Sequence, residues 1–290
     1  MNILIEIKNL KKTFTRTLHH GKGGISRITA VDRVDLAIHE GEHLGLVGES
    51  GSGKSTLARL ILKLYPADSG EILMGGSDIV RLSQRNFRPR RRDVQMVFQD
   101  PYSSLDPRFT IRKILQEAVA LLPEKETPHQ QLARMAEALQ AVGLSIDALP
   151  RFSFEFSGGE RQRIAIARAL IMRPKLLILD EAVSSLDVLV QTQIIELLKK
   201  LQAEFGLTYL FITHNLKVVR TLCQRIAVMY QGRIVETAAT EELFRRPMHP
   251  YTKRLLAAAV DYQTLGHEDA VVLSENLRLI DKGNGHFVLE

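Results

Sequence analysis

The 290-residue sequence predicts an α/β protein. Strand and helix signals alternate along the chain without a fixed-period repeat. Two short apolar runs that read as buried strands also end abruptly in small or acidic residues. One is Leu44, Leu46 and Val47, which leads into a glycine-rich stretch and then a helical pattern over residues 56–64. The other is the run of residues 176–179, which ends on Asp180 and Glu181.

Taken in order, residues 1–10 alternate Ile3, Ile5 and Ile7 with polar residues and read as an edge strand. Residues 17–29 are polar, contain glycine and predict a loop, with further strands over 34–38 and 71–74 set off by Asp68-Ser69-Gly70 and Gly75-Gly76. From about residue 110 to Gly143 the apolar spacing becomes helical: Ile111, Ile114, Leu115 and Ala118 share one face, and Leu132, Met135, Ala136 and Leu139 follow. Gly143 is placed to end that pattern. Residues 100–170 thus read as a helical subdomain inserted into the α/β core. The core resumes with strand 176–179, a helix carrying Ile194, Leu197, Leu198 and Leu201, a strand over 207–213 and a hairpin at Gln231-Gly232. Residues 246–290 hold Pro247 and Pro250, show helical spacing only near 255–260, and read as an appendage to a 1–245 domain.

Hydrophobic residues make up 45% and charged residues 25% of the chain, an ordinary globular balance that excludes disorder and fibrous repeats. No apolar run approaches the roughly 18 residues of a membrane-spanning helix, and residues 1–10 lack the pattern of a signal peptide. The single cysteine, Cys223, cannot form an internal disulfide and excludes a multi-cysteine metal cluster; the expected compartment is the reducing cytoplasm. The net charge of +6 favours an anionic partner: nucleotide, nucleic acid or an acidic membrane face. Arg85, Arg88, Arg90, Arg91 and Arg92 form a basic run without interleaved aromatics, read as a solvated face and not as a nucleic-acid site.

Gly48-Glu49-Ser50-Gly51-Ser52-Gly53-Lys54-Ser55 fits G-x-x-x-x-G-K-[ST] and lies between a strand and a helix. Glycines there let backbone N–H groups turn toward phosphate oxygens, the helix start adds positive potential, Lys54 can neutralise β and γ phosphates, and Ser55 can coordinate Mg²⁺. Burying Asp180 and Glu181 at a strand end is costly unless they hold a cation or do proton chemistry. Asp180 is expected to reach Mg²⁺ through its water shell, and Glu181 to polarise the water attacking the γ-phosphate. Phe156-Ser157-Gly158-Gly159-Glu160, ahead of Arg161-Gln162-Arg163, has the form of a second anion-binding helix start.

Together these three motifs resemble the nucleotide-binding ATPase subunits of ABC transporters, over most of residues 3–245. The resemblance implies a P-loop ABC ATPase fold: a RecA-like core, an antiparallel β subdomain and an inserted helical subdomain. It implies ATP and Mg²⁺ as cofactors, with residues 48–56, through Thr56, around the phosphates. Gln99 matches the loop glutamine that senses Mg²⁺ and the γ-phosphate, Ser185-Leu186-Asp187 the loop at the dimer interface, and His214 the switch histidine. Phe14 matches the aromatic that stacks on adenine. Ser157, Gly158 and Gly159 match the phosphate-facing signature residues, whereas Phe156 and Glu160 depart from the usual Leu and Gln.

In this family two ATPase subunits sandwich two nucleotides and drive attached permease helices. The implied partners are two permease subunits, a second homologous ATPase subunit (a heterodimer is favoured) and, indirectly, an external substrate-binding protein, with the chain peripheral to the cytoplasmic face of the inner membrane. The run from Gln99-Asp100-Pro101-Tyr102 to Asp106-Pro107-Arg108, and Arg246-Pro247-Met248-His249-Pro250-Tyr251-Thr252, are similar to the peptide and nickel importer branch. Residues 181–184, 211–214, 223–225 and 232–237 look closest to the second ATPase of nickel importers, and Ala182 stands where peptide importers more often have Pro. Nickel or a nickel chelate is therefore the expected cargo, with di- or oligopeptides as the alternative and a soluble, non-transport ABC ATPase behind both. His19-His20 lack a third ligand and read as incidental surface residues.

Overall fold

A computed structural model describes residues 2–18, 24–98, 104–260, 273–274 and 277–290. The chain divides into two compact units: residues 1–82 with 211–290, and residues 83–210.

The first unit opens on two long strands, β1 (Ile3–Leu18) and β2 (Gly24–His39), followed by β3 (His43–Val47), β4 (Ser69–Met74) and β5 (Ser77–Asp78). They form a four-stranded sheet in the order β2-β1-β4-β5, with β3 outside it. All its pairings are antiparallel. β1 is therefore interior and not the edge strand its N-terminal position suggests: Ile7 lies opposite Leu36 on one side and Ile72 on the other. The loop expected over 17–29 is also shorter, because Gly24–Thr29 continue β2 as its hairpin partner reaches Leu18. Cross-strand pairing extends polar sequence that has no alternation of its own. His19 and His20 lie outside the described residues.

When the chain returns to this unit it forms β9 (Arg225–Tyr230) and β10 (Arg233–Ala239), the expected hairpin, with Gln231 and Gly232 both at positive φ. β9 runs parallel to β3 and antiparallel to β10. All five residues of β3 are buried, which explains its continuous apolar run. Arg225 ties the two sheets' residues together by donating to Glu42 at 2.8 and 3.2 Å and to the carbonyl of Ala37. The C-terminal segment holds more order than its periodicity indicates. Beyond the helix Pro250–Val260, two three-residue strands, β11 (Leu279–Asp281) and β12 (Phe287–Leu289), pair with each other, and β12 extends the sheet beside β10.

The second unit holds the parallel pair β6 (Val94–Val97) and β7 (Leu176–Asp180), and β8 (Thr208–Ile212) leads out of it. The helical pattern of 110–143 is two helices, Ile111–Val119 and Pro128–Ala141. Pro123 and Pro128 interrupt it, since neither can continue a helix, and Pro128 instead starts the second one behind a Thr127–Gln130 capping box. Gly143, at φ 75°, follows the last turn as expected. Arg85, Arg88, Arg91 and Arg92 are exposed, the last three on the 3₁₀ turn Arg88–Asp93.

Candidate functional site

In the first unit the buried strand β3 delivers the chain into the loop Gly48–Gly53 at the start of the helix Lys54–Ile61. Glycine is required here by space as well as by φ. A Cβ on Gly48 (φ 150°) would lie 2.1 Å from the carbonyl oxygen of Met229, and one on Gly53 (φ 110°) 2.1 Å from that of Ala30. Gly53 caps the helix without a side-chain hydrogen bond. Lys54 is buried, and its Nζ donates to the carbonyls of Gly48 (2.8 Å) and Glu49 (2.6 Å) and to Ser52 Oγ (3.2 Å). Ser55 and Thr56 are half-buried, whereas Glu49, Ser50 and Gly51 are exposed. A glycine loop at a helix start, with a lysine held on its carbonyls, is the form of a cradle for phosphate.

His214, in the same unit, is exposed immediately after the buried Thr213, whose N–H lies 3.4 Å from the carbonyl of Leu46 on β3. Phe14 is half-buried on β1, with its ring edge-on to Tyr65 at 5.4 Å and Lys12 Nζ 5.5 Å from its centroid. Tyr65 carries no motif and was not among the expected residues; its position on a turn gives no sequence signal.

In the second unit β7 is buried throughout and ends on the buried Asp180, and Glu181 follows at φ 49°, a left-handed conformation that side chains adopt rarely. The helix after them does not start at this acidic pair. It begins at Val188, with Asp187 as N-cap accepting from the Val190 N–H at 3.0 Å. Val188 and Leu189 are more than three-quarters exposed beside Asp187, although both are apolar.

The Ser157 motif caps the helix Gly158–Leu170. Ser157 Oγ accepts from the Glu160 N–H at 3.3 Å, and the Glu160 carboxylate accepts from the Ser157 N–H at 2.8 Å and from its hydroxyl at 2.7 Å. This box accounts for Glu160, because Glu as well as Gln can close it from its third position. Phe156 is buried with the Arg151 guanidinium 4.1 Å from its ring, so a larger apolar residue is accommodated there. Gly159 also has a packing role: a Cβ would meet Val190 Cγ1 at 2.5 Å, so the missing side chain lets this helix start pack against the helix from Val188. Hydrogen bonds from Ser157 hold the Glu160 carboxyl below the usual glutamate range. That contribution is complete above the ordinary glutamate pKa and is lost as pH falls through the lowered folded-state value. Thermal melts of wild type and Glu160→Gln should therefore differ by a constant amount from pH 6 to 8 and converge below about pH 4.

Gln99 lies outside the described residues, as does the start of the Gln99–Arg108 motif. No group of three or more His, Cys, Asp or Glu side chains among the described residues is arranged to hold a metal ion. A serine hydroxyl and an aspartate are nevertheless the oxygen donors that Mg²⁺ prefers when phosphates and water complete its shell, so Ser55 and Asp180 fit that ion chemically. The glycine cradle with its lysine fits a nucleotide triphosphate.

Fold and loop together define a P-loop nucleotide-binding ATPase. The family model described as ABC transporter matches residues 31–184, and the chain belongs to that family. It is 46% identical over 256 residues to the oligopeptide transport ATP-binding protein OppF of Bacillus subtilis, covering 88% of this chain and 82% of that one. It is also 46% identical over 257 residues to the dipeptide transport ATP-binding protein DppF of Lactococcus lactis subsp. cremoris, covering 88% and 80%. Among solved structures, the dimeric ATP-binding cassette MJ0796 in a post-hydrolysis state with ADP and Pi is similar at TM-score 0.71 and 30% identity, over 81% of this chain and 98% of that one. CbiO1 of Clostridium perfringens, part of the transporter complex cbiONQ, is similar at TM-score 0.72 and 27% identity, over 85% and 92%. The chain is thus an ATP-binding ATPase of the ABC transporter type, with the mixed α/β cassette fold.

Proposed function

We propose that this chain is the ATP-hydrolysing subunit of a di- or oligopeptide importer, peripheral to the cytoplasmic face of the membrane. The observation that carries this reading is 46% identity, over 88% of the chain, to oligopeptide and dipeptide transport ATP-binding proteins. It displaces nickel as the favoured cargo: the local features that pointed to nickel, Ala182 among them, are a few short stretches against similarity spread along the chain. Among the described residues no helix is long and apolar enough to cross a membrane, so attachment would run through partners. Those partners are two permease subunits and a second, homologous ATPase subunit, with an external peptide-binding protein acting through the permeases.

In this reading residues 48–56 hold the ATP phosphates, Lys54 neutralises the β and γ groups, and Phe14 stacks on adenine. Ser55 and Asp180 hold Mg²⁺, Asp180 through water, and Gln99 senses the ion. The bound Mg²⁺ supplies charge neutralisation on the phosphates. Glu181 takes the role of orienting and polarising the attacking water, and His214 contacts the γ-phosphate. Ser157, Gly158, Gly159 and Asp187 face the nucleotide held by the partner ATPase subunit. The dimeric state of MJ0796 supports that arrangement.

The test is uptake of a labelled dipeptide, a labelled oligopeptide and radioactive nickel in the native host, comparing the wild-type chain with Glu181→Gln. Loss of peptide uptake with nickel uptake intact is the expected result. Loss of nickel uptake alone would overturn the peptide reading.

A further inference from the structure

The residues after Arg245 carry a line of buried polar contacts that ends on the phosphate loop. Glu236 on β10 is fully buried, and its carboxylate accepts from the N–H groups of Met248 (2.8 Å) and His249 (2.9 Å) and lies 2.7 Å from His286 Nε2. One side chain thereby anchors two separate stretches of the C-terminal segment. His249 Nδ1 in turn accepts from the Tyr251 N–H at 3.2 Å, at the first turn of the helix Pro250–Val260. Tyr251 is buried with its ring stacked on Tyr230, centroids 4.1 Å apart. Its hydroxyl accepts from the backbone N–H of Glu49 at 2.9 Å.

The Gly48–Glu49 peptide, to which this N–H belongs, is also held at its carbonyl end: the Gly48 carbonyl accepts from Lys54 Nζ at 2.8 Å. The carbonyl of the next peptide, that of Glu49, accepts from Lys54 Nζ at 2.6 Å and from the Ser52 N–H at 3.2 Å. A peptide is a rigid plane, so a bond that fixes the N–H of residue 49 also orients the Gly48 carbonyl and restricts rotation about ψ of Gly48 and φ of Glu49. Gly48, immediately before it, has no side chain to limit that rotation. Burial also pushes the Tyr251 phenol up to about 12, so the hydroxyl is neutral throughout the physiological range.

We propose that Tyr251 is a positioning residue for nucleotide binding, seated by Glu236, whose hydroxyl holds the Glu49 peptide and so sets the loop on which Lys54 rests. The C-terminal segment is on this view an internal strut of the phosphate cradle. The proposal rests on the reading of residues 48–56 as the ATP phosphate loop, and it adds a residue some 200 positions away that no phosphate-loop motif contains.

Tyr251→Phe tests it, because the ring and its stacking on Tyr230 remain while the acceptor is removed. Amide hydrogen exchange in the nucleotide-free protein should rise roughly 5- to 10-fold at Glu49, the factor expected for one lost hydrogen bond. Titration with a fluorescent ATP analogue should show affinity weakened several-fold, with turnover at saturating ATP reduced far less. Tyr230→Phe, which removes a neighbouring hydroxyl that accepts from Gln231 Nε2 at 3.2 Å and does not bond the Glu49 peptide, should leave both readouts at wild-type values. Wild-type exchange and affinity in Tyr251→Phe would overturn the proposal, as would equal losses in Tyr230→Phe, which would make the effect one of packing. A wild-type chain that binds no ATP would instead overturn the reading of the loop itself, whatever the exchange at Glu49.

Discussion

Glu181→Gln should lose steady-state ATP turnover by about 10²- to 10⁴-fold, the range spanned by a positioned general base, while ATP binding is kept. The substitution exchanges one carboxylate oxygen for an amide and leaves the shape of the side chain unchanged, so the strand end at Asp180 and the turn in which Ser184 N–H bonds the Glu181 carbonyl at 3.0 Å should persist. What is lost is the ability to accept a proton from water. Binding by the phosphate loop does not depend on that ability, because in the proposed reading the phosphates are held by Lys54 and the loop backbone and not by Glu181. Single-turnover hydrolysis, analogue binding and the melting temperature of the same preparation separate these effects. Undiminished turnover in the variant would remove Glu181 from the role proposed for it.

Gly53→Ala should abolish ATP binding and lower stability, by about 3 kcal/mol or more. Two costs add at this position. The φ of 110° is strained for any side chain, and the new Cβ would meet the Ala30 carbonyl at 2.1 Å and Met229 Cε at 2.7 Å. The methionine end can move aside, but the carbonyl belongs to β2 and can give way only if that strand shifts. Gly51→Ala is the matched control: φ is 82°, yet nothing lies within 4 Å of the added methyl, so only the left-handed strain of about 1–2 kcal/mol is expected. Denaturant melts of the two variants compare these costs directly. Equal stability losses would refute the crowding argument at Gly53.

Much of the fold could be read from local pattern. The strand, glycine loop and helix at 44–61 occupy contiguous residues, and so does β7 with its terminal carboxylates, because a motif of this kind positions its groups through backbone geometry within a few residues. The helix start at Ser157 was legible for the same reason, whereas its capping box with Glu160 emerged only in the structure and its glycines suggested only a phosphate contact. The second of them also packs against Val190, a partner that no window around residue 159 contains. Helical spacing over 110–143 was read correctly as helix but without its break, since periodicity survives a proline-bearing interruption that hydrogen bonding does not.

The amino-acid sequence by itself determined the class of this protein: an α/β ATPase whose phosphate loop and strand-end acids are spelled out in consecutive residues. Tertiary structure alone decided that β1 is interior, that β12 completes a sheet beside β10, and that Tyr251 reaches Glu49. These features depend on pairings between residues far apart in the chain. Three-residue strands have too few positions to display alternation, and a tyrosine in a proline-flanked segment carries no sign of which backbone amide it will meet. Such contacts are specified by the sum of burial and pairing across the whole fold, which no short window of sequence contains.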